Sequence, residues 1–369
     1  MKKLSVLGLI FIIFGVGSWW VFSNRDNILS PTSDKKNIKN QKDNLVTFGF
    51  LPTWMVGKTR TYGKEVSHLI FLGIETDEEG NLIWDTQSKK INNQDYLDQK
   101  GLTKMSGGKN ILGIKLFEDE KLKKLLADDK AINNLIDQIK ALRQAQGVNG
   151  FDGVNIDFEF QGDPLAVMGD DFMGFLDKLK KSDLGEISMD VFANTIIKGE
   201  TNKLIGLLSK IDYLVVMAYD FNRPGVNYAG AVAPISSVAG ERNINEVVEK
   251  VINGELNKNK IIMAYPLYGY EWKTETDEFE SKVIRGWYQM ASWNRVKSLI
   301  KENNLLVNFD ELSMSPWVNF EEEGVNHQIY FENEKSLKAK IDLVRQNKLK
   351  GYGFWALGYE GEDISVWNL

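Results

Sequence analysis

Residues Gly150–Phe160 read GFDGVNIDFEF and alternate without a fault, as a strand does. Val154, Ile156 and Phe158 face one way; Asn155, Asp157 and Glu159 face the other. A strand with bulky apolar groups on one face and two acids with an amide on the other is rarely structural filler; the bland alternative is an edge strand whose acids face water. Charged groups inside a fold must be paired or used. The acids stand at the C-terminal end of the run, just before the polar loop Gln161-Gly162-Asp163-Pro164, where catalytic residues emerge from a (β/α)8 barrel.

Working outward, the chain from Leu45 onward alternates short β-rich runs with helical stretches. Strands are predicted at Val46–Phe50, Ser67–Gly73, Asn110–Leu116, the central run, Glu186–Phe192, Ile211–Tyr219, Lys260–Leu267 and Gly351–Trp355. An extension over Gly73–Asp85 turns at Glu79-Gly80-Asn81. Apolar spacing predicts helices over Lys121–Gln146, Asp170–Lys181, Lys203–Ser209, Ile244–Asn253 and Ser336–Gln346. Eight strands alternating with helices imply a parallel sheet closed into a TIM barrel. A doubly wound open sheet is the runner-up, but Gly49-Phe50-Leu51-Pro52 lacks the glycine-rich phosphate loop that such a fold carries after its first strand. The interval between the seventh and eighth strands is too long for a connection. It is predicted to hold a small α+β insertion over about residues 269–334, with a helix at Trp287–Asn303 and strands at Val307–Phe309, Trp317–Phe320 and His327–Phe331.

Composition narrows the chemistry. The 369 residues include no cysteine and two histidines, His68 and His327, which removes thiol nucleophiles, disulfides and multi-histidine metal centres. No cofactor or metal is called for. The net charge of −6 and the lack of a long Lys/Arg cluster argue against a nucleic-acid partner. Residues 1–22 begin Met1-Lys2-Lys3 and continue as an apolar run from Leu4 to Phe22 that ends beside Trp19 and Trp20, about long enough to span a bilayer. Residues 1–22 are therefore read as an uncleaved signal anchor, residues 23–44 as a disordered polar tether and residues 45–369 as an extracytoplasmic barrel domain, a monomer. Cleavage and secretion is the alternative.

Three predicted strand ends converge on one mouth: Asn155, Asp157 and Glu159; Met217, Tyr219 and Asp220; and Trp355. An indole that can stack on a sugar, ringed by acids and a phenol, suits a carbohydrate. Trp54 and Trp272, at strand ends, read as further sugar platforms, and Phe50 as lining. Trp84, Trp287, Trp293 and Trp317 serve packing as readily as a cleft; His327 reads as structural, and Glu75, at the end of the second strand, more readily stays short of the mouth than reaches it.

These residues resemble glycoside hydrolase family 18, the chitinase family. Its D-G-x-D-x-D-x-E motif stands here as Asp152-Gly153-Val154-Asn155-Ile156-Asp157-Phe158-Glu159, its M-x-Y-D as Met217, Tyr219 and Asp220, and its last-strand tryptophan as Trp355. Gly49-Phe50-Leu51-Pro52-Thr53-Trp54 approaches its first-strand pattern. Tyr265-Pro266-Leu267-Tyr268-Gly269-Tyr270-Glu271-Trp272, Ser315-Pro316-Trp317 and His327-Gln328-Ile329-Tyr330-Phe331 resemble the bacterial branch that includes spore cortex-lytic N-acetylglucosaminidases. The resemblance implies hydrolysis of an N-acetylglucosamine-containing polysaccharide, chitin or peptidoglycan, in which the substrate's acetamido group replaces the usual nucleophile. Glu159 would be the acid and then the base, with its pKa raised by Asp157. Asp157 would orient the acetamido group, Tyr219 would bond its carbonyl, Asp220 would contact the same sugar and Trp355 would form the floor. Two departures stand out. Asn155 replaces an aspartate and is expected to hydrogen-bond Asp157. The third strand carries Gly113, Lys115 and Leu116 in place of S-x-G-G. A non-catalytic lectin on the same fold is the competing reading.

Overall fold

The computed structural model describes residues 45–369 except 57, 61, 63–64, 85–107, 145–150 and 368. The apolar run and the tether lie outside the described residues; among those described, no helix is long and apolar enough to cross a membrane. Eight parallel strands close on themselves: β1 (Val46–Pro52), β2 (His68–Thr76), β4 (Lys109–Leu116), β5 (Gly153–Phe158), β6 (Glu186–Phe192), β7 (Tyr213–Met217), β8 (Ile261–Pro266) and β14 (Gly351–Trp355). Closure comes from β1, which pairs with β2 on one side and β14 on the other. A short β3 (Leu82–Trp84) folds back antiparallel on β2, as the turn at Glu79-Gly80-Asn81 requires.

The alternation in β5 divides the apolar core in two. Val154, Ile156 and Phe158 pack outward among the helices, where Phe158 stacks on Phe175. Inside the barrel a smaller cluster of Phe48, Phe50, Ile70, Ile111, Val215, Ile262 and Ala264 fills the middle. A barrel filled this way is a packed core with two distinct ends rather than a pore.

The helices are α1 (Asp119–Ala127), α2 (Asp129–Gln144), α3 (Asp170–Lys181), α4 (Ala193–Lys198), α5 (Thr201–Lys210), α6 (Ile244–Asn253), α7 (Trp293–Asn303) and α8 (Glu334–Gln346). Two expectations are corrected. The predicted helix from Lys121 is two helices, because Asp128 takes an extended conformation and its carboxylate accepts from Lys130 N–H, capping the second. Its predicted end at Gln146 lies outside the described residues. The predicted helix from Trp287 begins only at Trp293. Ser292 caps it by accepting from Arg295 N–H, while Val283–Ser292 form strand β10.

Between β8 and β14 the chain builds an antiparallel sheet in the order β10, β9 (Tyr268–Thr274), β13 (Val325–Tyr330), β12 (Ser315–Glu322), β11 (Asn308–Asp310). Within it His327 is buried and its Nδ1 lies 2.6 Å from Glu271, which also pairs with Arg295.

Candidate active site

A cavity of about 740 Å³ opens at the C-terminal ends of the barrel strands. It is lined by Phe50, Trp54, Asp157, Glu159, Met217, Tyr219, Asp220 and Trp355, so eight of the residues singled out in the sequence meet there. Asp157 is 4 % exposed and points inward from β5, level with Lys115 on β4. Glu159 follows the strand; its N–H donates to Leu116 C=O at 3.1 Å, which ties it to the rim of β4. The loop beyond is clamped by Asp119, whose two carboxylate oxygens accept from Gln161 N–H and Gly162 N–H at 2.8 and 3.0 Å. That clamp leaves the Gln161 amide free to donate to Glu159 Oε2 at 2.7 Å.

The first two motif residues support the strand from its other end. Asp152 accepts from Asn110 N–H at 2.8 Å. A side chain at Gly153 would meet Glu186 C=O at 2.2 Å, so only glycine lets β5 and β6 come this close. Trp355 lies edge-on to Trp54, with ring centroids 6.3 Å apart, and 6.1 Å from Phe50. Asp220 takes φ 59°, a left-handed conformation that aspartate tolerates better than most residues. There its carboxylate accepts from Tyr268 OH at 2.6 Å and more loosely from Tyr270 OH at 3.3 Å.

Burial sets the protonation of the acids. It raises Asp157 well above the ordinary carboxylate value, with the charges of Glu159 and Asp190 adding and Lys115 opposing. Glu159 is also raised, first by burial; the Gln161 hydrogen bond opposes and the Asp220 charge adds. The expected cause, repulsion by Asp157, is thus not the leading one at Glu159. Asp220 is raised by burial against the two tyrosine hydrogen bonds, and burial with the surrounding carboxylates raises the Tyr219 phenol.

Two expectations, for Trp272 and for Asn155, fail on position. Trp272 is 1 % exposed and packs against Tyr270 and Tyr330 of the inserted sheet, in a cluster with Ala231, and does not line the cavity; a strand-end position does not reveal which sheet owns the strand. Asn155 does not bond Asp157. Its Nδ2 donates to Ser188 Oγ at 3.1 Å and Asp190 Oδ1 at 2.9 Å, and Asp157 Oδ1 is buried without a hydrogen-bond partner. Glu75 is not among the residues lining the cavity; it pairs with Lys115 Nζ at 3.1 Å. Trp287 and Trp293 serve packing: the first meets His327 edge-on, the second stacks on Phe331.

Sequence reasoning missed Asp190, Gln161, Tyr268 and Tyr270 as site residues. Asp190 could have been found, since Ser188-Met189-Asp190 repeats on β6 the polar-apolar-acid alternation of Asn155-Ile156-Asp157 on β5.

The family model described as Glycosyl hydrolases family 18 matches residues 38–360. Among curated proteins, the chain is 24 % identical over 333 residues to the uncharacterized glycosylase YvbX of Bacillus subtilis, covering 87 % of this chain and 90 % of that one. It is 27 % identical over 149 residues to the cortical fragment-lytic enzyme of Bacillus subtilis, which is 40 % of this chain and 32 % of that protein. The match to YdhD, a candidate sporulation-specific glycosylase of the same organism, spans 54 % of its length. Among solved structures, the spore cortex-lytic enzyme SleL of Bacillus cereus aligns with TM-score 0.68 at 20 % identity, over 88 % of this chain and 73 % of that one. A chitinase of Cycas revoluta crystallised with (GlcNAc)3 aligns with TM-score 0.73 at 17 % identity, over 88 % and 98 %. At these identities the structural likeness speaks for the fold alone.

Proposed function

The chain belongs to glycosyl hydrolase family 18, a glycosidase family, and from that premise we propose that it cleaves β-1,4-linked N-acetylglucosamine-containing glycan with retention of configuration. The observation that carries the reading is the pairing of a half-buried Glu159, raised and aimed into the cavity, with a buried Asp157 oxygen that has no partner. A buried acceptor without a donor is costly, and a substrate acetamido N–H supplies the missing one. Asp157 then orients the acetamido group so that its oxygen attacks the anomeric carbon. Glu159 protonates the leaving oxygen; once the leaving sugar has gone, it takes a proton from the water that opens the cyclic intermediate. The raised pKa keeps Glu159 protonated further up the pH scale, so turnover falls as pH rises through it.

Tyr219 bonds the acetamido carbonyl. Trp355 forms the floor, with Phe50 and Trp54 continuing it, and Asp220 and Met217 line the same pocket. The cortex-lytic names among the relatives favour peptidoglycan as the polymer, and the complex of the Cycas revoluta chitinase with (GlcNAc)3 supports an N-acetylglucosamine-containing glycan. In the same reading, residues 1–22 anchor the chain in a membrane and keep the barrel outside the cytoplasm. Release of the protein into the soluble fraction when residues 1–22 are deleted, and not before, is the expected result.

The decisive experiment incubates the full chain, beside Glu159→Gln, with N-acetylglucosamine oligomers and with purified peptidoglycan, reading product anomers by NMR. Wild-type cleavage with retained configuration and an inert variant are expected. Binding without cleavage by both proteins would make the chain a lectin.

A further inference from the structure

Asn155 and Asp190 lie side by side on neighbouring strands. The register of β5 against β6 sets Asn155 opposite Ser188 and Ile156 opposite Met189; Asp157 and Asp190 are the next residues on each strand, and both line the cavity close enough for the charge of Asp190 to act on Asp157. On the other flank Asp157 is level with Lys115. The inner wall of the barrel thus carries a row Lys115, Asp157, Asp190. In the row beneath, the Asn155 amide ties Asp190 to Ser188. Asp190 is 4 % exposed, lines the cavity and accepts one hydrogen bond from Asn155.

We propose that Asp190 is a positioning residue for Asp157, supplying from β6 the carboxylate that the fourth-strand motif lacks at Asn155. The proposal rests on the glycosidase reading above and adds a role on a strand outside the motifs that carry it. Two buried acids, Asp157 and Asp190, and the half-buried Glu159 line one cavity, and Lys115, itself shared with Glu75, is a cation beside them. Tyr219 and Asp220 face the group from beyond β7, and Lys198 and Arg223 stand at the rim. Like charges this close cannot all ionise, so the set retains protons at neutral pH. Asp190 is raised to about 8, first by burial, with the Asn155 hydrogen bond opposing and the Glu159 charge adding. As Asp190 ionises, its charge holds the remaining protons on Asp157 and Glu159. Asn155 fixes it there as a neutral donor, a part that a second carboxylate at position 155 could not play unless protonated.

The test is Asp190→Asn, close in shape and still able to accept from Asn155. The alkaline limb of the kcat/KM profile is expected to move down by roughly one pH unit, because a like charge next to the pair is gone. Asn155→Asp combined with Asp190→Asn, which returns the carboxylate to β5, is expected to restore the limb. A residue that only packs would lower turnover without moving the limb and would not be rescued by the double variant. Carbon-13 NMR titration of aspartate-labelled protein reads the same coupling without turnover: the Asp157 titration moves down in Asp190→Asn. An unmoved Asp157 titration would overturn the proposal, whether or not the wild type cleaves glycan. Failure of the wild type to cleave any glycan, with the titration change intact, would overturn the hydrolase reading and leave Asp190 in its place.

Discussion

The two ends of the barrel each gather ionisable groups and treat them in opposite ways. At the N-terminal end, His68 on β2, Lys109 on β4 and Glu186 on β6 form one cluster, with His68 Nε2 and Lys109 Nζ 2.9 and 2.6 Å from the two oxygens of Glu186. Burial alone would raise Glu186, but the contacts to His68 and Lys109 carry it below the ordinary value. At the C-terminal end, Asp157, Glu159, Asp190 and Asp220 share a cavity in which burial outweighs the nearby Lys115 and Arg223, and all four are raised. The lower cluster gains from being charged. The upper one is held away from its charged state, which an acid catalyst requires and which costs the fold stability.

The largest effect that would break this contrast is on turnover. Glu159→Gln keeps the Gln161 contact and the shape of the loop but removes the proton donor. A loss of about 10²- to 10⁴-fold in kcat is expected, the usual worth of a positioned acid or base, with thermal stability not lowered. An equal loss from Glu186→Gln would erase the division of labour between the two ends.

Glu186→Gln is instead expected to cost stability, about 1–3 kcal/mol, because it leaves a buried partner under-satisfied while the cavity is untouched. The pH dependence follows from the lowered value. The contribution of Glu186 is complete above its unfolded pKa and is lost as pH falls through its folded one. Wild type and variant should therefore converge in melting temperature as pH is lowered from about 6 to about 3. Asp157→Asn sharpens the comparison with the opposite sign. A raised acid favours the fold only while protonated, and that contribution is lost as pH rises through the folded value. Removing the acid should stabilise the protein at mildly alkaline pH by roughly 1 kcal/mol or more, since a tenfold change in proton affinity is worth about 1.4 kcal/mol. The same substitution should abolish turnover.

Much of this was legible in the sequence, and for identifiable reasons. The strict alternation of β5 fixed which side chains enter the barrel, and regular strand–helix spacing led to the eight-strand count. What stayed hidden depends on contacts between distant segments. Asn155 bonds β6 rather than its own strand neighbour Asp157, a choice made by register, which no local pattern encodes. Trp272 follows a tyrosine-rich strand end just as a cleft residue would, yet the antiparallel sheet captures it. The helix starts at Asp128 and Ser292 were marked by capping residues that apolar periodicity alone overlooks.

The smallest effect tests that same distinction between an aromatic in the cavity and one in the core. Trp54 is 37 % exposed at the cavity rim, meeting Trp355 edge-on, and a sugar ring stacked there gains an aromatic contact worth about 0.5–1.5 kcal/mol. Trp54→Ala should therefore raise KM for N-acetylglucosamine oligomers by about 2- to 10-fold with kcat and melting temperature little changed, since about 1.4 kcal/mol is a factor of ten. Trp272→Ala should do the reverse, lowering the melting temperature through a cavity that costs about 3–5 kcal/mol, while leaving the KM of the folded protein near wild type. If Trp272→Ala raised KM as Trp54→Ala does, the inserted sheet would be part of the glycan-binding surface. The boundary between the barrel cavity and that sheet would then have to be redrawn.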